Sequence, residues 1–203
     1  QNRNYLVIDG FNINNVLGWM GLIDSNNNVI QNNNFALSLD SGTRAGLKLV
    51  RSDFNKILNN MIDDDNDNLM LEDSDNNLVE GNTITKGRHS LLVIACGNFN
   101  VIRNNVLNNV NQKAGETFDC EGVIESTYDD TLQVKKLDAT KHNIWENNKF
   151  TFTKANDAGG PYAGIQYAGQ EGIIRRNIFY NTKGSPIYLT YYFEEALNDK
   201  INH

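Results

Sequence analysis

Apolar and polar residues along this chain fall into an octet that occurs six times. The clearest copy is Asn100–Leu107 (NVIRNNVL). The others are Asn28–Phe35 (NVIQNNNF), Asn55–Ile62 (NKILNNMI), Asn77–Ile84 (NLVEGNTI), Asn143–Phe150 (NIWENNKF) and Gly172–Phe179 (GIIRRNIF). Its third position is Ile30, Ile57, Val79, Ile102, Trp145 and Ile174. The eighth is equally apolar: Phe35, Ile62, Ile84, Leu107, Phe150 and Phe179. The sixth is always asparagine: Asn33, Asn60, Asn82, Asn105, Asn148 and Asn177. A short strand, a polar corner and a further strand, returning at a near-fixed interval, predict a solenoid.

Leu6–Ile13 reads as a degenerate first copy, with Ile8 at the third position, Gly10 at the fifth and Phe11 in place of the sixth asparagine. Gly81 holds the fifth position of a later copy, so a turn with positive φ is expected there. Copies start at 6, 28, 55, 77, 100, 143 and 172, at intervals of 22, 27, 22, 23, 43 and 29. The shorter intervals suit a coil of three strands. The longer ones imply insertions or, for 43, a coil hidden by divergence.

Another strand precedes the regular copies. Alternation turns Leu47, Leu49, Leu69, Leu71, Leu92 and Ile94 inward and Lys48, Met70 and Val93 outward, with Leu91 also read as outward. Seven or eight coils would make a rod of roughly 35 Å. The reading is therefore one all-β domain over residues 1–203, with regular coils to residue 107 and loop-bearing coils from 108.

At a corner, asparagine tolerates the left-handed conformation, and its amide can donate to one neighbouring coil while accepting from the other. The six sixth-position asparagines are therefore expected to stack as a ladder.

This pattern resembles the right-handed, single-stranded parallel β-helix of pectate lyases, related polysaccharide lyases and hydrolases, and phage tailspikes. The resemblance covers nearly the whole chain and implies the fold. Such a rod has raw edges that need covering. Phe193, Leu197 and Ile201 recur at helical spacing in Tyr192–His203, which predicts a short covering helix. Gln1–Asn4 is too short to cap the other end, which implies a longer parent protein or a neighbouring domain or chain there.

Composition narrows the partners. Asparagine is the commonest residue, 34 of 203, and its fixed offsets beside β-branched residues mark it as structural. A net charge of −7 with no basic run argues against nucleic acid. No apolar run reaches membrane-spanning length, so membrane insertion is not expected. Cys96 and Cys120 lack metal-site spacing and read either as one disulfide between neighbouring coils or as two buried thiols.

Candidate chemistry is sparse on the regular coils. The hydrolase branch of the resembled fold carries paired-Asp, NTDG, GHG and RIK segments, none of which occurs here. No cofactor is expected. Calcium has one candidate site, the alternating Asp63, Asp65 and Asp67. These mimic the start of an EF-hand loop, but Asn68 and Ser74 stand where that loop needs Gly and Glu. Gly87–Ile94 followed by Asn98–Ile102, together with Gly159–Tyr167, resembles coils of the chondroitinase B-like and alginate lyases. Their catalytic Lys and Arg fall where this chain has Ser185–Leu189, so no catalytic role is carried over.

A lyase needs a base beside a uronate carboxylate, a cation to neutralise that carboxylate and an acid for the leaving oxygen. The candidates are His89 or His142, Arg88 or Lys154, and Tyr162 or Tyr167, while Tyr128, Tyr162 and Tyr167 could stack on sugars. The function expected from the resemblance is an extracellular or cell-surface protein that binds or cleaves an acidic polysaccharide. The alternative is a non-catalytic structural or adhesive rod of a surface, fibre or tailspike-like assembly.

Overall fold

A computed structural model describes residues 2–39, 45–108, 112–119, 124–126, 133–135, 140–151, 163–182 and 184–190. Seven coils of three strands each wind along one axis. The first holds β1 (Val7–Asp9), β2 (Asn12–Val16) and β3 (Met20–Ile23), and the second β4 (Val29–Gln31), β5 (Asn34–Ser38) and β6 (Ala45–Val50). Then come β7 (Lys56–Leu58), β8 (Met61–Asp63) and β9 (Asp67–Glu72), followed by β10 (Leu78–Glu80), β11 (Thr83–Thr85) and β12 (Ser90–Ala95). The fifth coil is β13 (Val101–Arg103), β14 (Val106–Asn108) and β15 (Lys113–Phe118). After an antiparallel hairpin, β16 (Ile124–Ser126) and β17 (Gln133–Lys135), the sixth is β18 (Ile144–Glu146), β19 (Lys149–Thr151) and β20 (Ala163–Tyr167). The last is β21 (Ile173–Arg175), β22 (Ile178–Tyr180) and β23 (Ser185–Leu189).

Equivalent strands pair in parallel, giving three seven-stranded sheets, so the chain is an all-β, right-handed parallel β-helix. Seven coils make six complete returns to the first sheet, at the lower end of the expected count. Direct pairing of β13 with β18 shows that the 43-residue interval holds an insertion and no extra coil. Among the described residues there is no helix; the helix expected at Tyr192–His203 lies outside them.

The octet builds the first two sheets. Its third and eighth positions fill the core, with Ile30, Phe35, Ile57, Ile62, Val79, Ile84, Ile102, Leu107, Trp145 and Phe150 all at 0% exposure. Burying one such side chain contributes about 1.5–3 kcal/mol. Positive φ occurs at the fifth position, at Gly10, Asn32, Asn59, Gly81, Asn104 and Asn147. The left-handed residue is thus the one before the ladder asparagine, and the ladder residue itself is spared.

The ladder forms as expected and is deeper than an amide stack. Asn33, Asn60, Asn82 and Asn105 each donate their backbone N–H to Oδ1 of the next ladder asparagine, at 2.8–3.0 Å. Phe11 can replace asparagine in the first coil because only its N–H is needed, and Asn33 Oδ1 accepts it at 2.9 Å.

A second ladder runs through the octet's first position: Asn28, Asn55, Asn77 and Asn100 donate N–H to Oδ1 of the next coil at 2.8–2.9 Å, ending on Asn143. Beside it, Ser25 and Ser52 do the same through Oγ of Ser52 and Ser74, both at 3.0 Å.

The third sheet holds Leu47, Leu49, Leu69, Leu71, Leu92 and Ile94 inward, as alternation requires. Its strands bend in the middle. Register passes from Ser90↔Asp67 straight to Leu92↔Leu69, and the unpaired Leu91 between them lies in the core with 0% exposure. Leu91 is therefore an inward residue, against the expectation from strict alternation. The bend leaves Asp67, Ser90 and Lys113 on the outer side with Met70, Val93 and Glu116.

Cys96 is disulfide-bonded. The chain has only one other cysteine, Cys120, which lies outside the described residues.

Candidate active site

Polar side chains gather at the start of the third sheet's middle strands, where three successive coils place Asp67, Ser90 and Lys113 in register. Asp67 Oδ1 accepts from His89 Nδ1 at 2.8 Å and from the Ser90 N–H at 3.0 Å. Ser90 Oγ donates to Glu116 Oε2 at 2.9 Å and lies 3.4 Å from His89 Nδ1. Glu116 Oε1 forms an ion pair with Lys113 Nζ. Glu116 and Ser90 are wholly buried and Lys113 nearly so, while the His89 side chain keeps 30% exposure.

The hydrogen bond to Asp67 raises the His89 pKa above its ordinary 6.5, partly opposed by burial. With Nδ1 held by a carboxylate, the tautomer is set and Nε2 is left as the basic nitrogen. Such a pair can take a proton from a substrate carbon or oxygen. Arg88 stands beside it, its Nη2 3.7 Å from Asp65 Oδ1.

The acidic run and the following basic run are matched across one coil step. Asp63 meets Lys86 at 2.8 Å, Asp65 meets Arg88, and Asp67 meets His89. Asp63 and Asp65 thus each face a basic side chain of fixed charge, and Asp67 faces an imidazole. No group of three or more His, Cys, Asp or Glu with metal-binding geometry occurs among the described residues.

The other candidates separate. Tyr167 belongs to the core cluster, at 6% exposure, and burial, then Asp119, push its pKa up to about 12. It faces away from the outer surface and offers no sugar platform. His142 sits at the corner after the third sheet, across a six-residue strand of roughly 20 Å from the His89 end. There its ring stacks on Phe99 at 4.7 Å and its Nε2 lies 3.3 Å from Glu171 Oε2. Tyr128, Lys154 and Tyr162 lie outside the described residues.

The residues missed from sequence are Ser90, Lys113, Glu116 and the role of Asp67 as a partner for histidine. A signal existed: Asp67 to Ser90 and Ser90 to Lys113 are both one 23-residue coil apart.

A family described as "Periplasmic copper-binding protein (NosD)" matches residues 18–117, slightly less than half of the chain. Among the described residues of that span, Cys96 is disulfide-bonded and His89 Nδ1 is held by Asp67. No curated protein matches the chain.

Among solved structures, the periplasmic alginate epimerase AlgG is similar with a TM-score of 0.52 and 16% identity, over 92% of this chain and 40% of that one. The Streptococcus pneumoniae surface protein and adhesin PfbA is similar with a TM-score of 0.59 and 13% identity, over 92% of this chain and 67% of that one. At these identities the likeness shows the fold. The chain spans about two fifths of the epimerase's length.

Proposed function

We propose that this chain is a β-helix module of the cell envelope or cell exterior that engages an acidic polysaccharide on the outer face of its third sheet. In this reading His89 is the proton acceptor. The observation that carries it is the His89–Asp67 pair, in which Nδ1 is held and the imidazole keeps 30% exposure, with Arg88 its neighbour in the chain. Arg88, the more exposed cation beside the site, supplies positive charge toward a uronate carboxylate, which makes the neighbouring C–H acidic enough for a histidine to remove its proton. Lys113 is held in its buried pair with Glu116. Loss of the leaving oxygen would then give β-elimination; return of the proton to the opposite face would give epimerisation, the activity named for AlgG.

Both outcomes break the same C–H bond: in heavy water, epimerisation returns deuterium to that carbon, while elimination leaves an unsaturated product. Alginate, pectate and chondroitin sulfate, incubated in heavy water and followed by unsaturated-product absorbance and NMR, should show one or the other on at least one polymer. No exchange, no unsaturated product and no retention on all three would sink the proposal.

The second reading is a non-catalytic adhesive or structural rod. It is favoured by surface cations that are neutralised between coils, Arg51 by Asp24, Arg103 by Glu80 and Arg175 by Glu146. A neighbouring domain or chain on the first coil fits this reading too, since Val7 and Phe11 are 64% and 57% exposed there. Retention on a polymer without exchange would select it.

A further inference from the structure

We infer that the corner between the third and first sheets carries a second binding surface, a row of ring side chains that takes an uncharged glycan lying along the rod axis. This surface is on a different face from the His89 site, and the inference does not rest on the reading above.

Each coil turns this corner through four residues, as in Ser25–Asn28, and three of the four rows tie coil to coil. The first is the serine row and the last is the second asparagine ladder. In the row between them, Asp53, Asp75 and Asn98 donate N–H to the side-chain oxygens of Asn26, Asp53 and Asp75 at 2.6–2.8 Å. The remaining row is Tyr5, Asn27, Phe54, Asn76, Phe99, His142 and Glu171. Its backbone N–H groups are satisfied by carbonyls of the next coil, Phe54 by Asp75 at 3.1 Å and Phe99 by Lys141 at 3.1 Å. These bonds run from backbone to backbone and do not use the row's side chains.

All seven residues of this row have positive φ, with Phe54 at 57° and Phe99 at 55°. Asparagine accepts that conformation readily, and the row uses it at 27 and 76; for a bulky ring it is a strained state. Burial offsets little of the strain, because Tyr5, Phe54 and Phe99 are 80%, 55% and 53% exposed. Strain kept at solvent-facing rings points to a binding role.

Spacing and charge identify the ligand. Tyr5, Phe54 and Phe99 stand on alternate coils, about 9–10 Å apart, which places a ring under alternate sugars of an extended glycan. The apolar faces of pyranose rings stack on such platforms. His142, stacked on Phe99, extends the last platform. The adjoining row brings Asp53 and Asp75, with Lys141 at its far end, and Glu171 closes the ring row. A polyanion is thus repelled over most of the strip.

The test replaces Phe54 and Phe99 by the residue their own row uses. In native gels containing hydroxyethyl cellulose or glucomannan, the wild-type chain is retarded, and alginate retards it through this row no more than an empty gel does. The Phe54→Asn/Phe99→Asn variant should lose at least tenfold in affinity for the uncharged polymer while its melting temperature stays equal or rises, since the strain is relieved. Unchanged retention in the double variant overturns the inference. So does a wild-type chain that neither uncharged polymer retards. A row that instead mediates self-contact would show as reduced sedimentation of the variant with no glycan effect, and that also overturns it.

Discussion

Asn60 Oδ1 accepts twice from Asn33, from its backbone N–H at 2.9 Å and from its side-chain amide at 3.0 Å. One side-chain oxygen therefore holds both the corner backbone and the amide of the preceding coil. The same oxygen on Asn82 accepts from Asn60 at 2.8 and 3.0 Å, and Asn82 Nδ2 donates to the Ile57 carbonyl at 2.8 Å. Truncating Asn82 to Ala strands two buried donors and one buried carbonyl. A loss of about 3 kcal/mol or more is expected by urea unfolding, at about 1–3 kcal/mol for each unsatisfied group. Asn82→Asp should be comparably harmful, because an oxygen in place of Nδ2 would face the Ile57 carbonyl and Asn105 Oδ1.

Gly115 and Trp145 form a compensating pair. At the third octet position Trp145 stands where other copies carry Ile or Val, and a Cβ on Gly115 would sit 2.7 Å from the indole. Other coils place Leu47, Leu69, Leu92 and Ile165 in the register of Gly115. Gly115→Ala should cost about 1–3 kcal/mol by overpacking. Combining Gly115→Leu with Trp145→Ile restores the pattern of the regular coils and should recover much of the loss of Gly115→Leu alone, as measured by a double-mutant cycle in thermal unfolding.

Asp75 lies in the corner row next to Asp53, and burial first, then Asp53, raise its pKa above 3.8 despite hydrogen bonds from Asn98. Its ionised form is thus disfavoured by folding: the favourable contribution is complete below the unfolded pKa and is lost as pH rises through the folded one. Asp75→Asn keeps the acceptor for the Asn98 N–H and removes the repulsion. It should stabilise the chain at neutral pH by about 0.5 kcal/mol, a small figure because the pair is partly solvated. The gain should vanish in acid, and an undiminished gain there would refute this account.

The octet made the fold legible because a solenoid writes its packing into local sequence: Ile57 and Phe150 are core for the same reason in different coils. The first-position ladder is less legible, because asparagine holds that position in five of six octets and Gly172 breaks the identity that makes the sixth position plain. Leu91 was misplaced because alternation assumes an unbent strand, and the bend between Ser90 and Leu92 is not a local sequence signal. The His89 site was half legible. His89 and Arg88 stood out by type, but their partners Asp67, Lys113 and Glu116 come from neighbouring coils, and only counting in steps of one coil brings them together. Phe54 and Phe99 carry no local sequence signal: their shared left-handed backbone and exposure follow from the corner they occupy.

The His89–Asp67 pair gives the proposed chemistry a pH signature. Because the Asp67 hydrogen bond raises the folded pKa of His89, its stabilising contribution is complete below the ordinary 6.5 and is lost as pH rises through the folded value. Proton abstraction needs the neutral imidazole, so exchange on the active polymer should climb across that same higher pH range. In NMR titration the His89 ring should therefore titrate above 6.5 in the wild-type chain and lower in Asp67→Asn, which keeps the shape but removes the charge. The exchange profile should move to lower pH with it. His89→Asn should reduce exchange by about 10²–10⁴-fold with the coils intact, the range expected for removing a general base. A profile that ignores Asp67→Asn while the imidazole titration follows it would assign His89 to structure and place the base elsewhere.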